Sequence, residues 1–201
     1  MGISYRLRQV DILFGLEQDT EFLAINPAGF IPAIEDGDTI MVESIAIMEY
    51  LLARHGPDPL ALTPDDPAFS AYQQFLHLGE SGLAGPINAI VATNILAPEA
   101  DRHNWTMGWA LDLFKSRLGL VTRQLASTPY IAGDRFTAAD ISVTYALEFA
   151  QRTIGFAFGA VELDYIARSA AREGYRRAMD RCPATKAWVV TLAASSPANC
   201  T

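Results

Sequence analysis

Residues 56–67 most constrain what this chain can fold into. Gly56 to Pro67 holds four prolines and the adjacent aspartates Asp65 and Asp66. That composition supports neither helix nor strand and reads as a linker. The patterning differs on its two sides. Before it, short apolar runs alternate with turn residues. After it, strand signals vanish and long helical periodicities take over. The expectation is a small α/β domain over residues 1–55, a linker over 56–67 and an all-helical domain over 68–201. With 201 residues, half of them hydrophobic, the chain carries enough apolar surface for both.

In the first part, Tyr5, Leu7, Val10 and Ile12 alternate partly in period two and predict a short strand. Gly15 to Gln18 is a break. Thr20 to Ile25 predicts about one and a half helical turns, ended by Asn26-Pro27. Pro32–Glu35 and Thr39–Val42 flank Asp36-Gly37-Asp38, and Asp-Gly between apolar runs predicts a hairpin. Ser44 then opens a helix, and serine is a common N-cap. Ile45, Met48 and Leu52 form its apolar row, widened by Ile47 and Leu51. Gly56-Pro57 stops it.

Beyond the linker, Ala68 to Ile95 predicts one long or kinked helix, with Gly82, Gly85 and Pro86 as kink points. Leu111, Phe114, Leu118, Val121 and Leu125 repeat at spacings of three and four, one face of an amphipathic helix. Lys115, Arg117 and Arg123 fall off that stripe and face water. Phe136-Thr137-Ala138-Ala139-Asp140-Ile141 predicts a capped helix start. Thr137 is the N-cap, Asp140 reaches back to its amide, and Phe136 and Ile141 occupy the staple positions. The helix that follows carries Val143, Tyr145, Leu147 and Phe149, apolar on most sides, and is expected to be central in a bundle.

Several function classes find no support. The net charge is −8 with no basic stripe, so nucleic acid is not an expected partner. Met1 to Val10 lacks the apolar core of a signal peptide, and Ala84 to Ala97 is too short to span a bilayer. No membrane association and a cytoplasmic location are expected. Cys182 and Cys200 show neither zinc nor redox spacing, and His55, His77 and His103 lie far apart, so no metal is expected. Phosphate-binding glycine loops and the common hydrolase motifs are absent.

The polar residues worth weighing lie between Pro32 and Ser44. Pro32 opening a strand, and Glu43-Ser44 at a helix start, each have a purely structural reading. A helix N-terminus is also an anion site. There a ligand carboxylate could take the Ser44 hydroxyl and amide, while Glu43 takes a nearby ammonium. The pair would then hold an α-amino-acid head group.

The combination resembles a known family. Asn26-Pro27-Ala28-Gly29-Phe30-Ile31-Pro32-Ala33-Ile34, a short hairpin, then Glu43-Ser44-Ile45-Ala46-Ile47-Met48-Glu49-Tyr50-Leu51 resembles the thioredoxin-like domain of cytosolic glutathione transferases. Tyr72-Gln73-Gln74-Phe75-Leu76-His77 is similar to the first helix of that family's C-terminal domain. Tyr130 to Ile141 is similar to its capped central helix, and Gly174-Tyr175-Arg176-Arg177-Ala178 to a late one. The resemblance implies glutathione as co-substrate, without a metal. It gives Ile31 a backbone contact to the cysteinyl unit, with cis Pro32 setting the geometry, and gives Glu43 and Ser44 the γ-glutamyl end. It draws the second-substrate side from Tyr72, Phe75, Leu76, Trp105 and Trp109, although core packing is the expected job of most of these. The implied partners are a small electrophile and a second copy of the chain.

Two departures accompany the resemblance. Phe30 stands where many members carry a cation or Gln able to reach the glycyl carboxylate. The family's first strand and helix, with the thiol-activating Ser, Tyr or Cys, have no counterpart, since Met1-Gly2-Ile3 resembles the turn ending that helix. The catalytic residue is therefore unknown. The expectation is a truncated thioredoxin-like domain whose start lies inside a longer reading frame; a natural truncation and a re-paired sheet are the alternatives. The implied reaction is attack of the glutathione thiolate on an electrophile. A non-catalytic binding or assembly module, and a glutathione-dependent reductase or isomerase, stay open as alternatives.

Overall fold

A computed structural model of the protein describes residues 1–11 and 18–181, the side chain of Ile95 excepted. The chain divides into two compact units with the boundary between Thr63 and Pro64.

In the first unit, the described part of the expected strand over Tyr5 to Ile12, residues 5–11, forms no strand. Residues 1–11 run without a ladder, and Tyr5 is 58% exposed. Alternation suits a strand, but a strand exists only where another backbone takes its N–H and C=O groups. The sheet among the described residues has two strands, and neither accepts this segment. Arg8 instead forks onto the Asp19 carboxylate (3.0 and 2.7 Å). Ile12, Gly15, Cys182 and Cys200 lie outside the described residues.

Asp19 caps α1 (Thr20–Ile25) by accepting the Phe22 N–H at 2.9 Å, and Phe22 is buried beneath it. Strands β1 (Ala33–Asp36) and β2 (Thr39–Val42) pair antiparallel, from Ala33 with Val42 to Asp36 with Thr39. The turn is therefore Gly37-Asp38. Gly37 at φ +61° supplies the positive φ that such a two-residue connection needs at its first position. Helix α2 (Ser44–Arg54) follows, with Ile47 and Leu52 buried.

The second unit is helical. The expected long first helix is α3 (Phe69–His77), a π-helical segment (Leu78–Ala84), α4 (Gly85–Val91) and a second π-helical segment (Ala92–Leu96). The chain thus re-spaces its hydrogen bonds through π segments where kinks were expected. Gly79 explains one of them. A Cβ there would lie 2.2 Å from Ser142 Oγ and 2.6 Å from the Ser142 carbonyl carbon, so only glycine permits this backbone approach.

Helix α5 (Trp105–Leu125) buries Ala110, Phe114, Val121 and Leu125. Arg117, expected in water, is half-buried, its aliphatic stem passing beside Gly82. Helix α6 (Ala138–Ile154) packs against α3, the first π segment, α4 and α7 (Ala160–Ala170). Its Val143, Leu147 and Ile154 are fully buried, each stabilising the fold by about 1.5–3 kcal/mol relative to exposure. Its other face is open: Tyr145 stacks on Phe149 with ring centres 5.9 Å apart. Helix α8 (Glu173–Arg181) closes the described chain, the Tyr175 hydroxyl donating to Glu148 at 2.5 Å.

The capping box at the start of α6 forms, and it is larger than its motif. Asp140 Oδ2 accepts from the Thr137 N–H (2.7 Å) and hydroxyl (3.1 Å), while Oδ1 accepts from the Ile131 N–H (2.8 Å) and the Tyr165 hydroxyl (2.9 Å). Burial pushes the Asp140 carboxyl above the usual carboxylate range, and the donors pull against it. The expected staple differs. Phe136 packs edge-on against Tyr130 and beneath the Arg172 guanidinium, while Ile141 is 41% exposed.

Candidate functional site

The hairpin register brings the two candidate dipeptides to one place. Ala33 pairs with Val42, so the next residues outward on the two arms are Ile31-Pro32 and Glu43-Ser44. The Ile31-Pro32 peptide bond is cis, and both residues are exposed.

Ser44 is not the N-cap. It is the first residue of α2, and Glu43 holds the cap position with its carbonyl accepting from the Ile47 N–H at 2.9 Å. Glu43 sits at φ +73° and ψ +111° and offers the helix no side-chain cap. A non-glycine residue at positive φ costs about 1–3 kcal/mol, and such residues cluster at ligand sites. The first amides of α2 therefore point outward without an internal acceptor. Neither the Glu43 nor the Ser44 side chain hydrogen-bonds within the described residues. Chemically this is one hydroxyl and a row of N–H donors beside one carboxylate, able to hold an anion and an ammonium side by side.

Two clamps missed in the sequence hold this corner. Buried Asn26 accepts the Ala28 N–H (3.2 Å) and donates to the Phe30 carbonyl (2.6 Å), fixing the approach to Ile31. The Asn-Pro pair was its only local signal. At the far end of the hairpin, Asp36 Oδ2 accepts from the Tyr50 hydroxyl and meets His55 Nε2, each at 2.9 Å. The His55 ring, then the Tyr50 hydroxyl, hold the Asp36 carboxyl below its ordinary value. This ties β1 to α2 and so Ile31 to Ser44.

In the helical unit the five aromatic and aliphatic candidates separate. Tyr72, Phe75 and Leu76 are core residues. Trp105 and Trp109 are 77% and 50% exposed and stack on each other with centres 5.9 Å apart. Core packing thus claims the first three and leaves the tryptophans on the surface. Among the described residues no group of His, Cys, Asp or Glu is placed to hold a metal ion, and no helix is long and apolar enough to cross a membrane.

Comparison with known proteins gives this geometry a context. Residues 1–53 match the glutathione S-transferase N-terminal domain, and residues 97–189 match the glutathione S-transferase C-terminal domain. Glutathione S-transferase F10 of Arabidopsis thaliana is 30% identical over 166 residues, 77% of this chain and 73% of that protein. The chain belongs to the glutathione S-transferase family. Glutathione S-transferase 3 of Zea mays is also 30% identical, over 69% of this chain and 64% of its own length. Among solved structures, the theta-class glutathione S-transferase of Xanthomonas axonopodis pv. citri, with glutathione bound, superposes with a TM-score of 0.70 at 26% identity, covering 88% of this chain and 84% of that one. BphK, a bacterial enzyme of the family seen in a ternary complex, shares the fold at a TM-score of 0.76 and 24% identity, covering 90% and 88%. The thioredoxin-like and helical halves expected from the sequence are thus the two domains of this family.

Proposed function

We propose that this family member binds glutathione at the open end of the hairpin. The Ile31 backbone pairs with the cysteinyl unit, the α2 N-terminus and Ser44 hold the γ-glutamyl carboxylate, and Glu43 takes the γ-glutamyl ammonium. One observation carries this reading: α2 begins with no side-chain cap, on a strained Glu43, next to a Ser44 hydroxyl with no hydrogen bond within the described residues. A ligand carboxylate supplies the missing cap. The solved relative with glutathione bound supports the choice of ligand.

The reaction proposed is attack of the bound thiolate on a small electrophile, in a cytoplasmic homodimer. Thiolate, not thiol, is the attacking form, and we assign no residue to its activation. Phe30 takes the place of a cation toward the glycyl carboxylate, so that end of glutathione is held by other means. The test is retention of the chain on immobilised glutathione, with elution by free glutathione. Retention and competition are expected; passage without retention overturns the reading. Light scattering at the retained peak checks the dimer.

A further inference from the structure

Two guanidinium groups stand together at the end of α7 without a carboxylate beside them. The Arg172 guanidinium lies 3.6 Å over the centre of the Phe136 ring, and that of Arg168 lies 5.9 Å from the centre of the Tyr130 ring. The two rings meet edge to face with centres 5.7 Å apart, so both cations are drawn to one place. The backbone agrees. Arg168 is in the last turn of α7, and the Arg172 N–H continues that turn by bonding the Ser169 carbonyl at 3.3 Å. Residues four apart on a turn are neighbours on one face. Arg168 donates its Nε to the Pro129 carbonyl at 3.1 Å, which leaves its outer nitrogens uncommitted.

The lack of acid partners is particular to this place. Arg8, Arg135, Arg152 and Arg177 each pair with a carboxylate. Arg168, Arg172 and exposed Arg176, one turn further on, pair with none among the described residues. The nearby acids are taken or out of reach: Asp66 holds Arg135, Glu173 holds Arg177, and Asp134 and Asp164 form no ion pair among the described residues. Outside the described residues the chain has one acidic side chain, Glu17. In a chain of net charge −8 this run of cations goes against the average. Like charges one turn apart repel, and the C-terminal dipole of α7 offsets only part of that. Stacking on the rings fixes the forks in advance, so an arriving anion loses less affinity to their ordering.

We propose that Arg168 and Arg172 bind the phosphate group of a small phosphomonoester. A phosphate dianion has oxygens enough for two forks, whereas a carboxylate offers one charge and two oxygens. The site lies wholly in the helical unit and does not rest on the glutathione reading.

The experiment is calorimetric titration of the full chain with phenyl phosphate and with benzoate at fixed ionic strength. Phenyl phosphate should bind with a dissociation constant on the order of 1 mM, and benzoate at least about tenfold more weakly. Arg168→Gln and Arg172→Gln should each weaken phenyl phosphate by about tenfold, while Arg8→Gln leaves it unchanged. Should Arg172→Gln fail to fold, Arg168→Gln, an exposed position, decides alone. Equal affinity for the two probes overturns the proposal. So does undiminished phenyl phosphate binding in Arg168→Gln, even where that variant is less stable, since the arginines then serve only to close α7. Sedimentation of the chain with phosphatidic acid vesicles, undisturbed by free phenyl phosphate, would assign the arginines to a lipid surface and overturn it as well.

Discussion

Ala33 and Val42 close the β1–β2 ladder, and their pairing sets Pro32 and Glu43 as facing neighbours at its open end. A one-residue slip would turn each side chain to the opposite face. Gly37-Asp38 at the other end, together with the Asp36 contacts to Tyr50 and His55, prevents it. The corner proposed for binding is thus positioned from the turn, four residues away on each strand.

Ser44→Ala separates binding from stability. Ser44 is the first helical residue and caps nothing, so unfolding free energy should change by less than about 0.5 kcal/mol. Retention on immobilised glutathione should fall, because a hydrogen bond to a charged group is lost, worth about 1.5–3 kcal/mol. Unchanged retention removes Ser44 from the site.

Glu43→Gly should stabilise the first unit and impair it as a binder. Glycine accepts φ +73° without strain, a gain of about 1 kcal/mol in denaturant unfolding. The same change deletes the carboxylate proposed for the γ-glutamyl ammonium, so glutathione retention should drop. A variant less stable than the wild type contradicts the strain argument.

The Asp36 contacts make the first unit sensitive to acid. The carboxyl is held below its unfolded value of about 3.9. A depressed carboxylate contributes stability above the unfolded value and loses it as pH falls through the folded one. Wild type should therefore lose its advantage over Asp36→Asn below about pH 4. Parallel pH profiles for the two proteins, followed by circular dichroism, would refute the assignment.

Gly79→Ala places a methyl group 2.2 Å from Ser142 Oγ and 2.6 Å from backbone. Neither α6 nor the first π segment can give way without disturbing the core. A loss of about 3 kcal/mol, the upper range for overpacking, is expected in the helical unit. A thermal midpoint within about 2 °C of wild type would show that the helices separate easily there.

At the start of α6, Thr137→Ala should cost about 0.5–2 kcal/mol. Tyr165→Phe should cost about 1 kcal/mol more than a surface Tyr→Phe, since it withdraws one of the donors to buried Asp140. Chemical denaturation of each variant measures both. A neutral Tyr165→Phe would show that the Tyr165 hydroxyl adds nothing to the Asp140 network.

Legibility followed sequence separation. The box of Thr137 and Asp140 was readable because its parts lie three residues apart, and so were α1, the hairpin and the stripe of α5. Tyr165 was not, since it reaches Asp140 across 25 residues from another helix. Asp36 was visible as a turn residue, but Tyr50 and His55 were invisible as its partners. The strand over Tyr5 to Ile12 was misread because an apolar alternation carries no information about a neighbouring strand. Ser44 opens α2 as expected, but the cap role that a serine before a helical stripe ordinarily takes falls to Glu43, which only the backbone shows.

By itself the sequence determined the two-part organisation, the helical character of the second part, the family resemblance and the dipeptides proposed for the site. Those follow from local propensity, periodicity and short motifs. Tertiary structure alone decided that Tyr72, Phe75 and Leu76 belong to the core while Trp105 and Trp109 face water. It also decided that Glu43 is strained, and that the Asn94 amide is buried without a partner among the described residues. Burial and hydrogen-bond satisfaction depend on which distant residue arrives next to a side chain, and local sequence does not contain that.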